Sequence, residues 1–166
     1  MTEERETVPE RRLITLKSEY RQAVGRLLPL VQRELRIFDP DLAELELHTE
    51  SNVRLLRDFL VRSRNNRLYI ALHDVGFVSH RAPRLMGLLG TFSANMAIYR
   101  TTGDAARVQD CFLLCDELHL VRRGVAAQGR GAVYLNDPHE ARAMRERFDQ
   151  IWESSFLAVT PGQVGL

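Results

Sequence analysis

Lysine is nearly absent from this chain. Lys17 is the only one, and the rest of the 23 basic residues are arginine. Two origins fit that bias: a GC-rich genome, or recognition of phosphate and other anions by the guanidinium fork, which grips such groups bidentately. Composition leaves both open. Cysteine is scarce too. Cys111 and Cys115 are too few for a disulfide framework. On one strand they stand ~13 Å apart, too far to bond to each other. Four ligands at metal spacing are missing, so no metal and no cofactor is expected. The two thiols read as small buried hydrophobes in a reducing compartment. No apolar run approaches the ~20 residues that span a bilayer. Met1 to Arg12 is charged and lacks an apolar signal core. A cytoplasmic protein without a membrane partner is the expectation. Charge of one sign is also lacking, with a formal net charge of +1, so there is no polyelectrolyte character.

What is present is an ordinary globular balance, 45% apolar and 27% charged over 166 residues. That length suits one domain with a real core. The expected division is a flexible charged tail over 1–13, one domain over 14–157 and a loose tail over 158–166.

The periodicity predicts alternating elements. Tyr20, Val24, Leu27, Leu28 and Val31 recur at helical spacing, with Ser18 as a cap and Pro29 as an interruption. Leu35 to Phe38 alternates like a strand and stops at Asp39-Pro40. Val53, Leu56, Phe59 and Leu60 form the inner face of a second helix. Leu68 to Leu72 is a short apolar run suited to a buried strand, ending at His73-Asp74. A third helix is predicted from Pro83 to about Asn95, then a strand over 97–101. Two strands follow around a turn at Asp116-Glu117, then a glycine-containing loop over 122–130 and a strand over 131–135. Asp137-Pro138 opens a final helix with Ala141, Met144, Phe148, Ile151 and Trp152 inward. Strands alternating with helices predict an α/β sheet with helices on both faces. Such sheets place ligands at the strand carboxyl ends, here Asp39, His73-Asp74 and Thr101 to Asp104.

The stretch from Gln109 to Ser155 resembles the C-terminal half of a phospholipase D domain. That family carries His, any residue, Lys, four residues, Asp. Here Gln109 stands at the histidine position, Cys111 at the lysine position and Asp116 at the aspartate position. Arg123, Gly124 and Ala126 take the places of the glycine, serine and asparagine of the family's next turn, and Arg130 lies about where members place a glutamate. Asp137-Pro138 and the run Phe148 to Trp152 continue the likeness. The resemblance implies a phospholipase D-like mixed sheet with helices on both faces. It also implies pairing of two copies across a two-fold axis as a homodimer. The segment Arg36-Ile37-Phe38-Asp39-Pro40-Asp41-Leu42 is similar to one in a bacterial domain of unknown function, found alone or attached to an acetyltransferase.

The family's chemistry needs an imidazole nucleophile and a lysine to hold phosphate charge. Gln109 and Cys111 supply neither, and no His-x-Lys pair occurs in the chain. The expectation is a non-catalytic relative, a pseudoenzyme. Its cleft would be bordered by Arg100, Thr102, Arg107, Gln109, Asp116, Arg123 and Arg130. Arginines around a site without a nucleophile suit a phosphate-bearing or other anionic ligand, with solvated surface arginines as the alternative; a surface for a protein partner is the other use open to such a module. His73 beside Asp74 is the candidate acid–base pair for a rebuilt phosphodiesterase or nuclease, against a purely structural histidine. Nucleic-acid binding through Arg62, Arg64, Arg67 and the loop arginines is a third reading, which the near-neutral charge does not favour.

Overall fold

The structure is a computed structural model that describes residues 8–161. Eight strands form one mixed sheet, in the order β1 (Glu10–Ile14), β7 (Gly131–Leu135), β6 (His119–Arg123), β5 (Cys111–Cys115), β2 (Glu34–Asp39), β3 (Arg67–Leu72), β4 (Met96–Thr101) and β8 (Ser155–Val159). Its centre is parallel: β2 (Glu34–Asp39), β3 (Arg67–Leu72) and β4 (Met96–Thr101) run in register, Ile37 beside Ile70 beside Ile98. β5 (Cys111–Cys115) lies antiparallel to β2, with Phe38 opposite Phe112. A meander follows through β6 (His119–Arg123) and β7 (Gly131–Leu135).

Alternation along the strands sorts the side chains into two cores. Leu35, Ile37, Leu68, Ile70, Ile98, Leu113 and Val121 face one side. There they meet α1 (Lys17–Leu27), α2 (Glu50–Arg62), the short α3 (Gly76–Arg81) and α4 (Pro83–Thr91). Phe38, Ala71, Phe112, Leu114 and Leu120 face the other, covered by α5 (Pro138–Glu153) through Ala141, Met144, Phe148 and Ile151. Helices therefore lie on both faces, as the element order predicts. Each large apolar side chain withdrawn from water contributes about 1.5–3 kcal/mol, so this double layer is what holds the sheet. Pro29 acts as expected: α1 stops at Leu27 and one 3-10 turn, Leu28–Leu30, follows.

Ser18 does not cap α1: Leu16 is the N-cap, and Ser18 lies inside the helix. Three further expectations need correction. The charged tail ends earlier than residue 13, because Glu10–Ile14 forms β1, paired antiparallel with β7 from Glu10 opposite Leu135 to Ile14 opposite Gly131. Only Ile14 of that strand is buried; backbone pairing holds it, and hydrophobic patterning gives no sign of it. The C-terminal tail likewise begins later than 158. Ser155–Val159 forms β8, antiparallel to β4, with Val159 in the core. The rest of both predicted tails, 1–7 and 162–166, lies outside the described residues. Third, the helix from Pro83 ends at Thr91. Asn95 leaves it to donate from Nδ2 to the carbonyls of Arg64 and Asn66 at 2.8 and 3.1 Å.

Candidate functional site

The carboxyl ends of β2, β3 and β4 present Asp39, His73 and Thr101, and β5 enters from the same end through Gln109, Asp110 and Cys111. Asp39 is 2% exposed. Its Oδ2 accepts from the amides of Leu42 at 2.8 Å and Asp41 at 3.2 Å, while Oδ1 has no partner among the described residues. Those bonds hold Leu42 in the left-handed region, φ 71°. Burial pushes the Asp39 carboxyl up to about 6, against the lowering effect of the two amides.

His73 is fully engaged. Nε2 donates to the Val108 carbonyl at 2.7 Å, which leaves Nδ1 to accept from the Thr101 hydroxyl at 2.6 Å. The Phe38 ring stands edge-on at 5.2 Å. Asp74 does not join it; its Oδ1 accepts from the Gly76 amide at 2.7 Å and starts α3. The two residues read as an acid–base pair thus serve two separate turns.

Cys111 is completely buried. The side chain beside it is Arg123 from β6, opposite it in register and 1% exposed. The Arg123 guanidinium lies 4.5 Å from the Tyr20 ring centre. Its Nε donates to Cys111 Sγ at 3.3 Å and its Nη2 to Glu44 Oε2 at 3.1 Å. Glu44 is held a second time by Lys17 Nζ at 2.9 Å. Burial raises the Cys111 thiol, and Arg123 only partly opposes it; the thiol is not poised as a thiolate. Room for so large a side chain comes from Gly131, which faces Arg123 across the β6–β7 pair. A Cβ there would run into the Arg122 carbonyl and press on the Arg123 stem.

The remaining candidates scatter. Arg100, Arg107, Gln109 and Arg130 are exposed. The Thr102 hydroxyl donates to the Ser154 carbonyl at 2.8 Å. Asp116 and Gln109 lie beyond opposite ends of β5, whose own ends stand ~13 Å apart, so those two do not share a site. In the turn at φ 56° the Asp116 carboxylate accepts from the amides of Gln32, Arg33 and Glu34 at 3.0, 2.8 and 3.0 Å. It clamps the entry of β2 onto the β5–β6 turn. Asp116→Ala should lower stability by about 2 kcal/mol, since three backbone donors lose a charged acceptor and alanine disfavours positive φ. A urea midpoint within error of the parent would contradict that role.

Sequence reasoning passed over Asp110 and Glu44, and took Tyr20 only as part of a helical face. Asp110 is buried and takes Arg147 bidentately at 3.0 and 2.7 Å, with Arg122 at 3.2 Å. An aspartate directly before an apolar strand, with its arginines on the neighbouring β6 and on α5, carries no local signal of that pairing.

The fold is phospholipase D-like. Nuc, a phospholipase D family member from Salmonella typhimurium, superposes with TM-score 0.63 at 11% identity, over 92% of this chain and 100% of that one. NucT from Helicobacter pylori gives 0.62 at 13% identity, over 91% and 100%. TrmBL2, an archaeal chromatin protein described as showing a novel mode of DNA binding, gives 0.66 at 13%, over 89% of this chain and 54% of its own. These identities carry the fold alone. No curated protein matches the sequence. Among the described residues no helix is long and apolar enough to cross a membrane. One family matches residues 16–159, nearly the whole described span. On that match the chain belongs to the family described as Domain of unknown function (DUF7931), built on a phospholipase D-like fold.

Proposed function

We propose that this protein is a non-catalytic phospholipase D-like module that works by binding rather than turnover. The observation that carries the reading is the enclosed Arg123. Where the family's chemistry calls for a histidine and a lysine facing substrate, this chain puts Gln109, a buried Cys111, and an arginine whose charge is already met by Glu44. His73, the one imidazole at the strand ends, has both ring nitrogens committed. A small anion drawn to the candidate cleft would be left with the exposed Arg100, Arg107 and Arg130. Pairing of two copies, which the family resemblance implies, belongs to the same proposal. A solution mass near twice 19.1 kDa by light scattering supports it, and a monomer mass removes it.

The purified chain should leave bis(p-nitrophenyl) phosphate, single- and double-stranded nucleic acid and phospholipid vesicles unchanged relative to a blank. Turnover that disappears in His73→Ala or Cys111→Ser, with both variants folded, would overturn the proposal and restore the phosphodiesterase reading.

A further inference from the structure

The sheet has two outer edges, and the sequence treats them oppositely. β1 opens on Glu10-Arg11-Arg12, and charge along an edge is what keeps strands of other chains from adding to it. β8 carries no charge, and the chain stays uncharged from Ser155 through Pro161. Phe156 and Leu157 follow one another on it, both exposed. Among the described residues nothing pairs with its outer side.

Backbone direction shows what that side offers. The Ser154 carbonyl accepts from the Thr102 amide, on the β4 side, at 2.9 Å. The Ser155 amide belongs to the same trans peptide and so points the other way. Strand alternation then turns the Ser155 carbonyl and both backbone groups of Leu157 outward. The side chains alternate as well. Leu157 stands opposite Tyr99, on the face where Tyr99 stacks on Trp152 of α5, and Phe156 stands opposite Arg100 on the other face. Ala158 is the extra residue where the pairing with β4 shifts, so the regular edge is Ser155 to Leu157.

Charge decides what can add to this edge. Joining it to β1 of another copy would set Glu10, Arg11 and Arg12 beside Phe156 and Leu157, and would leave free edges that propagate a filament. The edge is instead complementary to itself. Run antiparallel about a two-fold axis at Phe156, Ser155 of one copy lies opposite Leu157 of the other, and the outward groups of each such pair exchange both N–H···O bonds. The two Phe156 rings then meet in the non-hydrogen-bonded position, where opposed side chains come closest.

We infer that two copies of this chain join through β8, antiparallel about a two-fold axis at Phe156, into one continuous sheet. The inference rests on the pairing of two copies proposed above and assigns it a surface. That surface is small, so association is weak and depends on concentration.

Sedimentation of the full chain across the micromolar to millimolar range should show the mass rising towards the dimer. Phe156→Lys sets two like charges face to face, and Leu157→Lys adds charge beside them. Each should weaken association by about tenfold or more. Both side chains are exposed, so the circular dichroism spectrum should not change. Spin labels locate the contact separately. Cys111 and Cys115 are buried, so labels attach to an introduced cysteine. In the dimer, labels on Glu153→Cys, beside β8, should lie within about 30 Å of each other, and labels on Leu13→Cys, on β1, more than about 60 Å apart.

Association undiminished in both lysine variants, or labels closer at residue 13 than at residue 153, would overturn the inference while the pairing itself stands on another surface. A monomer mass at every concentration removes both. A chain ending at Pro161 that pairs where the full chain does not would show that residues 162–166 cover the edge, and would overturn it as well.

Discussion

Arg123→Ala should cost about 3–4 kcal/mol of folding stability, read as a lower urea midpoint at unchanged slope. The reason is volume as much as charge. Arg123 is the largest fully buried side chain among the described residues. Truncation leaves a cavity bounded by Tyr20, Cys111 and Gly131, and none of these can close over it without moving a strand. Glu44 suffers less than a buried partner would, because it is partly exposed and keeps Lys17. Arg123→Met should therefore recover much of the loss: it refills the space, and exchanging a buried ion for a hydrophobe of like volume is often nearly neutral. Arg123→Lys keeps the charge but gives up the fork that reaches Cys111 and Glu44 together, so it should fall between the two. An alanine variant within 1 kcal/mol of the parent would mean that the cluster is loosely packed.

Asp39→Asn should turn a pH-dependent stability into a flatter one. The carboxyl titrates at about 6 in the folded chain, raised chiefly by burial, against a usual value of 3.8. Between those values the folded state holds a proton that the unfolded state has released. Stability from this group is therefore full at low pH and is lost as pH rises towards 6. Asparagine keeps an oxygen for the Leu42 and Asp41 amides and removes the ionisation. The difference in stability, variant minus parent, should grow by roughly 2 kcal/mol from pH 4 to pH 8. Urea unfolding of both proteins at the two pH values measures it. A difference that stays constant would show that Asp39 is ionised in the folded state at no cost. Since Arg123 is among the groups that lower Asp39, the Arg123→Ala and Asp39→Asn effects should not add.

The central strands were legible because burial on both faces leaves a plain mark. Leu68 to Leu72 and Cys111 to Cys115 are short apolar runs between turn residues. The outer strands were not. β1 spends its length as Glu10-Arg11-Arg12, and β8 exposes Phe156 and Leu157 to 48% and 53%. Neither has a pattern set by a core, so each becomes a strand only once a neighbour offers its edge. The same logic governs the site. That Cys111 would be a buried strand residue could be read from the apolar run around it. The inward turn of Arg123 could not, because an arginine at the end of a strand reads as a solvated one. The available hint was its place two residues beyond the buried Val121, on the same face of β6, and opposite a glycine. Arg36 was hidden in the same way: its alternation with Leu35 and Ile37 suggests water, but α5 covers that face.

The pairing of β1 with β7 also sets an order of events during synthesis. β2, β3 and β4 can find one another from a nascent chain that has reached residue 101, through crossovers of modest length. β1 leaves the ribosome before these strands and must wait, because its partner begins at Gly131. Until then the N-terminal strand is an unpaired ribbon, and afterwards β7 is the edge it must cover. Contacts so distant in sequence close slowly. A chain shortened at its N-terminus past Ile14 would keep the central sheet and both helical layers, yet leave β7 as a bare edge open to strands of other chains.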